Sequence, residues 1–248
     1  MCPSTKIDDA GRQTMVNINN AYRSTLIKGD QLDKNKAKNP TGKNMYKLAW
    51  DCDLENGAQA WADACSWGHS TSQQRNGTGE NLYATTFPWT NSSAMSKAAA
   101  DSWWSEATTY WTMRSNNILK WANDSSAGHF TQMAWATTYK VGCGMASCPN
   151  LIIGWPQATY VVCRYSGPGN YEGSAVYEPG TPCTCATTLP STCEPSSGLC
   201  VINGLGQITT TEAVTTTKKA VTIKETTKKP VTTKKTTKKP VTTKKVGK

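Results

Sequence analysis

Apolar residues recur along this chain at two periods, and the change of period marks its elements. From residue 8 or 9 to about 28, Met15, Ile18, Tyr22 and Leu26 return at steps of three and four, which places them on one face of a helix. Asp8 or Asp9 can cap its start and Gly29 suits its end. A second helix is predicted from residues 51–53 onward, with Leu54, Ala58, Trp61, Ala62 and Cys65 on one face and Gly68 as its C-terminal cap. A third follows the cap Asn91-Ser92-Ser93, with Met95, Ala98, Ala99, Ser102 and Trp103 as its buried stripe. Residues 139–146 and 159–166 are rich in aromatic and β-branched side chains between turn residues, which predicts strands. Helices and strands mix without regular βαβ alternation, so the pattern points to an α+β layered domain.

The pattern weakens at Glu178-Pro179-Gly180. Beyond it, Cys183, Cys185, Cys193 and Cys200 fall within eighteen residues that hold few core formers. Such a stretch needs disulfides if it is to be ordered, and sequence leaves all three pairings of the four cysteines open. From residue 226, TTKKPVTTKK is followed at once by an unchanged copy. Paired lysines, threonines and recurrent proline bury too little apolar surface to offset ordering entropy. The expected layout is therefore a main domain over residues 1–178, a cysteine-rich extension over 179–205 and a disordered basic tail over 206–248. The tail reads equally as a solvated, O-glycosylated stalk or as an electrostatic tether to sulfated glycans or an anionic surface.

The net charge of +10 belongs to that tail. From Thr209 onward there are twelve lysines against Glu212 and Glu225, while residues 1–208 carry fifteen basic and fifteen acidic groups. A balanced body argues against nucleic acid as a partner. The ten cysteines (Cys2, Cys52, Cys65, Cys143, Cys148, Cys163 and the four above) form no zinc-finger spacing and fit an oxidising compartment. The sequons at Asn76, Asn91 and Asn123 fit a secreted surface. No hydrophobic run is long enough to span a bilayer, so no transmembrane segment is expected. Met1-Cys2-Pro3 shows no apolar leader, so the chain reads as a secreted, extracellular protein in mature form, with the signal peptide absent and Met1 added for expression.

Only two histidines are present. His69 closes Cys65-Ser66-Trp67-Gly68-His69, and His129 opens Gly128-His129-Phe130-Thr131-Gln132-Met133-Ala134-Trp135. The second run resembles the first signature of the CAP superfamily: cysteine-rich secretory proteins, insect venom antigen 5 and plant pathogenesis-related proteins. Residues 160–171, YVVCRYSGPGNY, resemble its second signature, with Gly167 where the family usually has proline. Gly79-Glu80-Asn81-Leu82-Tyr83 is similar to a third motif. The resemblance spans residues 8–200 and fits best the venom allergen-like secreted proteins of parasitic nematodes. On the first helix the family usually shows a histidine and an asparagine ahead of the arginine. Here Asn19-Asn20 and Arg23 stand there, and that histidine is missing.

The resemblance implies a three-layer α-β-α sandwich with a short disulfide-rich C-terminal extension. It also places His69, Glu80, Glu106 and His129 at the four positions of the family's cleft. Two imidazoles and two carboxylates suit a divalent metal, zinc most readily, with His69 and His129 as ligands. The carboxylates could instead orient the imidazoles, or all four could be a polar network locking helices to sheet. A serine hydrolase would use Ser70 or Ser105 as nucleophile with one histidine as base, yet no G-x-S-x-G elbow is present. Family members bind sterols or fatty acids, and the corresponding loop here offers Ile118, Leu119 and Trp121. The function expected is a secreted effector that modulates a host through an unidentified host protein, a bound lipid, or both. An extracellular hydrolase and a non-catalytic structural glycoprotein are the alternatives.

Overall fold

The computed structural model describes residues 2–3, 6–185 and 188–206. The expected tail lies, from residue 207, outside the described residues. The order of elements is α1 (Asp9–Ile27), β1 (Gly42–Lys43), β2 (Ala49–Trp50), α2 (Cys52–Asp63), α3 (Ser72–Arg75), β3 (Gly79–Thr85), α4 (Ser92–Thr109), α5 (Trp121–Asp124), a 3-10 turn (Ser125–Ala127), α6 (Gly128–Ala134), β4 (Lys140–Pro149), β5 (Gln157–Ser166), β6 (Glu178–Pro179), β7 (Ser191–Glu194) and β8 (Leu199–Ile202). Among the described residues no helix is long and apolar enough to cross a membrane.

One four-stranded sheet in the order β2-β4-β5-β3 forms the middle layer, parallel between β2 and β4 and antiparallel elsewhere. Alternation along β4 and β5 divides the molecule. Val141, Cys143, Met145, Val161, Cys163 and Tyr165 join the larger core with α1, α4 and α6, whereas Ala146, Cys148, Tyr160 and Val162 face α2. This is the expected α-β-α sandwich.

The seating of α2 depends on two glycines of β4. A Cβ on Gly142 would stand 2.3 Å from the Glu55 backbone N, and one on Gly144 would stand 2.3 Å from Gln59 Cα. The helix backbone therefore rests on the strand itself. Gln59 donates to Met145 O (2.8 Å) and accepts from Met145 N–H (3.0 Å), so its amide pairs with β4 where β2 has ended.

All ten cysteines are paired: Cys2–Cys52, Cys65–Cys148, Cys143–Cys163, Cys183–Cys193 and Cys185–Cys200. Cys143 and Cys163 are opposite residues of β4 and β5. The cysteine-rich extension belongs to the same compact unit as the sandwich. Cys200 N–H donates to Met45 O (2.8 Å), Lys47 N–H donates to Cys200 O (2.8 Å), and Leu199 is buried in the main core.

Helix α1 starts at its Asp8 cap, and Gly29 follows it at φ +78°. Two expectations need correction. Helix α2 stops at Ala64, before Gly68, because Cys65 turns to φ +49° and is tied to Cys148. The buried stripe of α4 is Ser92, Ser96, Ala99, Ala100, Trp103, Trp104 and Ala107, while Ser102 is exposed and Met95 and Ala98 only half-buried. Burying both tryptophans rotates the stripe away from Ser102.

Arg23 is fully buried in α1 and has no carboxylate partner. It donates to Tyr46 O twice (2.8 and 3.0 Å), Met133 O (2.7 Å), Trp135 O (2.8 Å), Ala136 O (3.1 Å) and Thr138 O (3.1 Å). Burial lowers its pKa to about 9, which still leaves it charged at neutral pH. Arg23→Lys keeps the charge but offers three donors in place of the planar fork. It is expected to cost about 3 kcal/mol, seen as a lower urea midpoint at unchanged slope. An unchanged midpoint would mean that these carbonyls find other donors.

Candidate functional site

Each of the four cleft residues is positioned by a different piece of backbone. His69 follows a loop that is pinned from below: Trp61 Nε1 donates to Gly68 O (2.9 Å), and the Tyr160 hydroxyl donates to Ser66 O (3.3 Å). Glu80 is the second residue of β3, directly opposite Arg164 of β5. Glu106 lies in the last turn of α4, and His129 in the first turn of α6.

The four assemble as two histidine–carboxylate pairs. His69 Nδ1 lies 3.0 Å from Glu80 Oε1, and His129 Nδ1 lies 2.6 Å from Glu106 Oε1. A carboxylate only accepts, so each Nδ1 carries a proton and donates it to its glutamate. All four residues line one cavity of about 290 Å³ together with Trp121 and Asn170. A second lobe of about 300 Å³ shares His69, Glu80, Trp121 and Asn170 and reaches Arg75 and Tyr171.

The two carboxylates hold their places by different means. Glu80 is buried and accepts from Ser70 N–H (2.9 Å) and the Ser70 hydroxyl (2.6 Å), with Arg164 Nε 3.4 Å away. Burial by itself raises the Glu80 pKa. The hydrogen bonds from His69 and Ser70 outweigh it and bring the pKa below the usual carboxylate value. Glu106 caps a helix that has no cap of its own: Ala127 offers no side-chain acceptor, and Glu106 Oε2 accepts from His129 N–H and Phe130 N–H, both at 3.0 Å. One carboxylate thus fixes both the helix start and the imidazole it carries.

Neighbours complete the frame. The His129 ring lies over Trp103, with centroids 6.1 Å apart, and Trp103 Nε1 donates to Leu82 O (2.8 Å). Asn81 donates to His129 O (3.1 Å), and Asn170 donates to Gly128 O (2.8 Å). Sequence reasoning missed Ser70 as a Glu80 donor, Arg164, Asn170 and Trp103. Arg164 and Asn170 stand inside the second signature run and Asn81 beside Glu80, so the motif words held that signal.

The serines proposed for hydrolysis do not engage a histidine. The Ser70 hydroxyl donates to Glu80, and the Ser105 hydroxyl donates to Ser102 O (2.7 Å). The apolar loop also differs from expectation. Leu119 is fully buried in the main core, its N–H bonded to Ser174 O (2.9 Å), so it offers no lipid surface. Ile118 is half-buried and bridges to Ala175, and Trp121 lines the cleft. The sequons Asn76, Asn91 and Asn123 are all exposed.

Two imidazoles lining one cavity are the residue type that suits a divalent transition ion. Among the described residues no group of three or more His, Cys, Asp or Glu side chains gathers as a ligand set. Glu80 and Glu106 instead orient the two imidazoles, one carboxylate to each ring.

The family model described as "CAP: Cysteine-rich secretory protein family" matches residues 16–165. The "Ancylostoma secreted protein" of Ancylostoma caninum is 34% identical over 203 residues, covering 80% of this chain and 46% of its own length. The chain thus spans less than half of that relative. Among solved structures, "BmVAL-1" is 37% identical, with 81% of this chain and 98% of that chain covered at a TM-score of 0.72. "NaASP2 with Zn2+" is 30% identical, with 81% and 100% covered at a TM-score of 0.72.

The lowered Glu80 pKa has a sign that can be checked. A carboxyl whose pKa falls on folding contributes stability above its unfolded value, near 4.5, and loses it as pH drops through the folded value. Between those two values the wild type should lose stability more steeply than Glu80→Gln, while above pH 5 the variant should be the less stable of the two. Parallel acid limbs in urea denaturation at stepped pH would show that Glu80 is not held below its ordinary range.

Proposed function

The chain belongs to the CAP, or cysteine-rich secretory protein, family, and on that premise we propose a secreted, non-catalytic binding protein whose cleft takes a divalent metal through His69 and His129. Zinc fits the donor set most readily. One observation carries the reading: two imidazoles, each held at Nδ1 by its own carboxylate, line the same cavity. A bound ion would supply a Lewis-acid centre at the cleft floor that a partner's donor atom could complete.

The chain's own residues prepare that centre. Glu80 and Glu106 hold both imidazoles through Nδ1 and fix their rotation, which lowers the ordering cost of ligation. Trp121, Asn170 and Tyr171 line the way out of the cleft toward a second lobe wide enough for a segment of another protein. Contact with a host protein at a host–parasite interface is the use that fits a relative named as an Ancylostoma secreted protein. Five disulfides support an extracellular setting. A hydrolase reading has less behind it, because Ser70, next to His69 in sequence, spends its proton on Glu80.

Zinc titrated by calorimetry should bind the wild type in a single site and should fail to bind the double variant His69→Ala with His129→Ala. Glu106→Gln, which keeps both ligands but alters what orients one of them, should weaken binding by roughly ten- to a hundredfold. Equal zinc affinity in the wild type and the double variant would place the metal elsewhere. Labelling of one serine by an activity-based probe, lost in His129→Ala, would turn the reading to an enzyme.

A further inference from the structure

The run Arg75-Asn76-Gly77-Thr78 makes a tight turn between α3 and β3. The Thr78 N–H and the Thr78 hydroxyl both donate to Arg75 O, at 3.1 and 2.7 Å. Asn76 stands at φ +48° and ψ +51°, and Gly77 at φ +73°. Two consecutive left-handed residues mark a type I′ turn, for which Asn-Gly is the preferred pair. The Asn76 N–H is spent on the Ser72 and Gln73 carbonyls, closing α3. The peptide that joins Asn76 to Gly77 is the middle of the turn, and among the described residues the Gly77 N–H has no acceptor.

That peptide is free to react with the side chain beside it. Asn76 is exposed, and a Cβ placed on Gly77 would meet nothing within 4 Å, so nothing hinders rotation about the linkage. The Gly77 nitrogen, once it gives its proton to water, can attack Asn76 Cγ. An N–Cγ bond forms, the Cγ–Nδ2 bond breaks, and ammonia leaves after taking up a proton. Water then opens the cyclic imide at either carbonyl, leaving aspartate or isoaspartate, with no oxidant or reductant involved. Two other Asn-Gly pairs in the chain set a scale. Asn56-Gly57 lies inside α2, where the helix ladder holds its peptide. Asn203-Gly204 lies in an exposed turn of the cysteine-rich extension, closed by Leu205 N–H to Ile202 O (3.3 Å).

What sets Asn76 apart is its place beside the cleft. Arg75, Thr78 and Gly79 line the second lobe, and a Cβ on Gly79 would stand 2.0 Å from Gln132 Oε1 of α6. Glu80, which holds His69, follows at once. We propose that Asn76 is a spontaneous deamidation site at the mouth of the cleft, exchanging a neutral amide for a carboxylate next to Arg75. In the isoaspartyl form the main chain of the turn also gains a carbon. The lengthened turn can no longer close Thr78 onto Arg75 in the same way, and it displaces Thr78 and Gly79 where they pack against α6. This change needs no metal and stands apart from ligation by His69 and His129. Asn76 also heads the sequon Asn76-Gly77-Thr78, and a glycan on its Nδ2 takes the same amide, so the two fates exclude each other.

The test is incubation of the full-length protein, made without N-glycans, at mildly alkaline pH, followed by peptide mapping with mass spectrometry. Asn76 should convert to aspartate and isoaspartate while Asn56 stays intact, with Asn203 as the reference for an open Asn-Gly pair. Gly77→Ala, whose Cβ crowds the attacking nitrogen, should lose most of the conversion at residue 76 and leave that at Asn203 unchanged. Asn76 intact while Asn203 converts would overturn the proposal. The two histidine ring signals in NMR report on the cleft. The isoaspartyl form, separated by ion exchange, should shift the His69 signal more than the His129 signal. Asn76→Asp, which brings the charge without the extra carbon, should shift it less. An unmoved His69 signal in the isoaspartyl form would overturn the effect on the cleft. A glycan filling Asn76 in protein secreted from a eukaryotic cell would overturn the site itself, because the amide is then no longer free.

Discussion

A single buried guanidinium organises the junction on which the sandwich depends. Arg23 sits in the middle of α1, yet its six hydrogen bonds all go to carbonyls of distant segments: the stretch before β2 and the passage from α6 into β4. Those carbonyls lie at the end of α6 and in the loops before β2 and β4, outside the regular ladder of the sheet. Apolar side chains could fill the space but would take these donors from five carbonyls, of which only Trp135 O and Ala136 O also accept from a backbone N–H outside helices and strands, those of Thr138 and Tyr46. The position of α6, and with it His129, follows from this arrangement. The helix is fixed at its end by Arg23 from α1 and at its start by Glu106 from α4.

The opposite face is governed by the absence of side chains. Gly142 and Gly144 let α2 lie directly on β4, close enough for Gln59 to exchange both backbone hydrogen bonds with Met145. Gly57, on the helix, leaves room for Arg164: a Cβ there would stand 2.6 Å from an Arg164 terminal nitrogen. Arg164 can therefore lie flat and reach Ser70 and Gln74 while its Nε faces Glu80. Close packing of α2 and the placement of Glu80 in the cleft are thus consequences of the same three glycines.

Much of this was legible from residue pattern, and the failures have physical reasons. The periodicity of α1 and the β-branched runs of β4 and β5 reflect faces buried against a core, so they could be read directly. Strand β3 carries Glu80 and Asn81 in a motif word rather than an apolar alternation, because its polar residues serve the cleft. The end of α2 is set by a disulfide to a residue 83 positions away, which no local signal announces. Leu119 looked like surface because its neighbours Asn116, Asn117 and Lys120 are polar, yet strand-like contacts with Gly173 and Ser174 turn it into the core. Gly167 departs from the family's proline for a visible reason. It stands at φ +51°, where proline's ring cannot go, and a Cβ there would stand 2.4 Å from Thr137 O.

The two histidine–carboxylate pairs argue for ligation over nucleophilic catalysis on hydrogen-bond grounds. In a triad the imidazole is held by a carboxylate at one nitrogen and receives the nucleophile's proton at the other. Both histidines have the first contact, but the Ser70 and Ser105 hydroxyls are bonded elsewhere. Ser70, the hydroxyl nearest in sequence, is buried and donates to the carboxylate itself while accepting from Arg164 (3.2 Å). Its proton is therefore committed to the group that would have to orient the base. Recruiting Ser70 as a nucleophile would remove a hydrogen bond that keeps Glu80 ionised in a buried position. The His69 imidazole would then lose the orientation that catalysis requires.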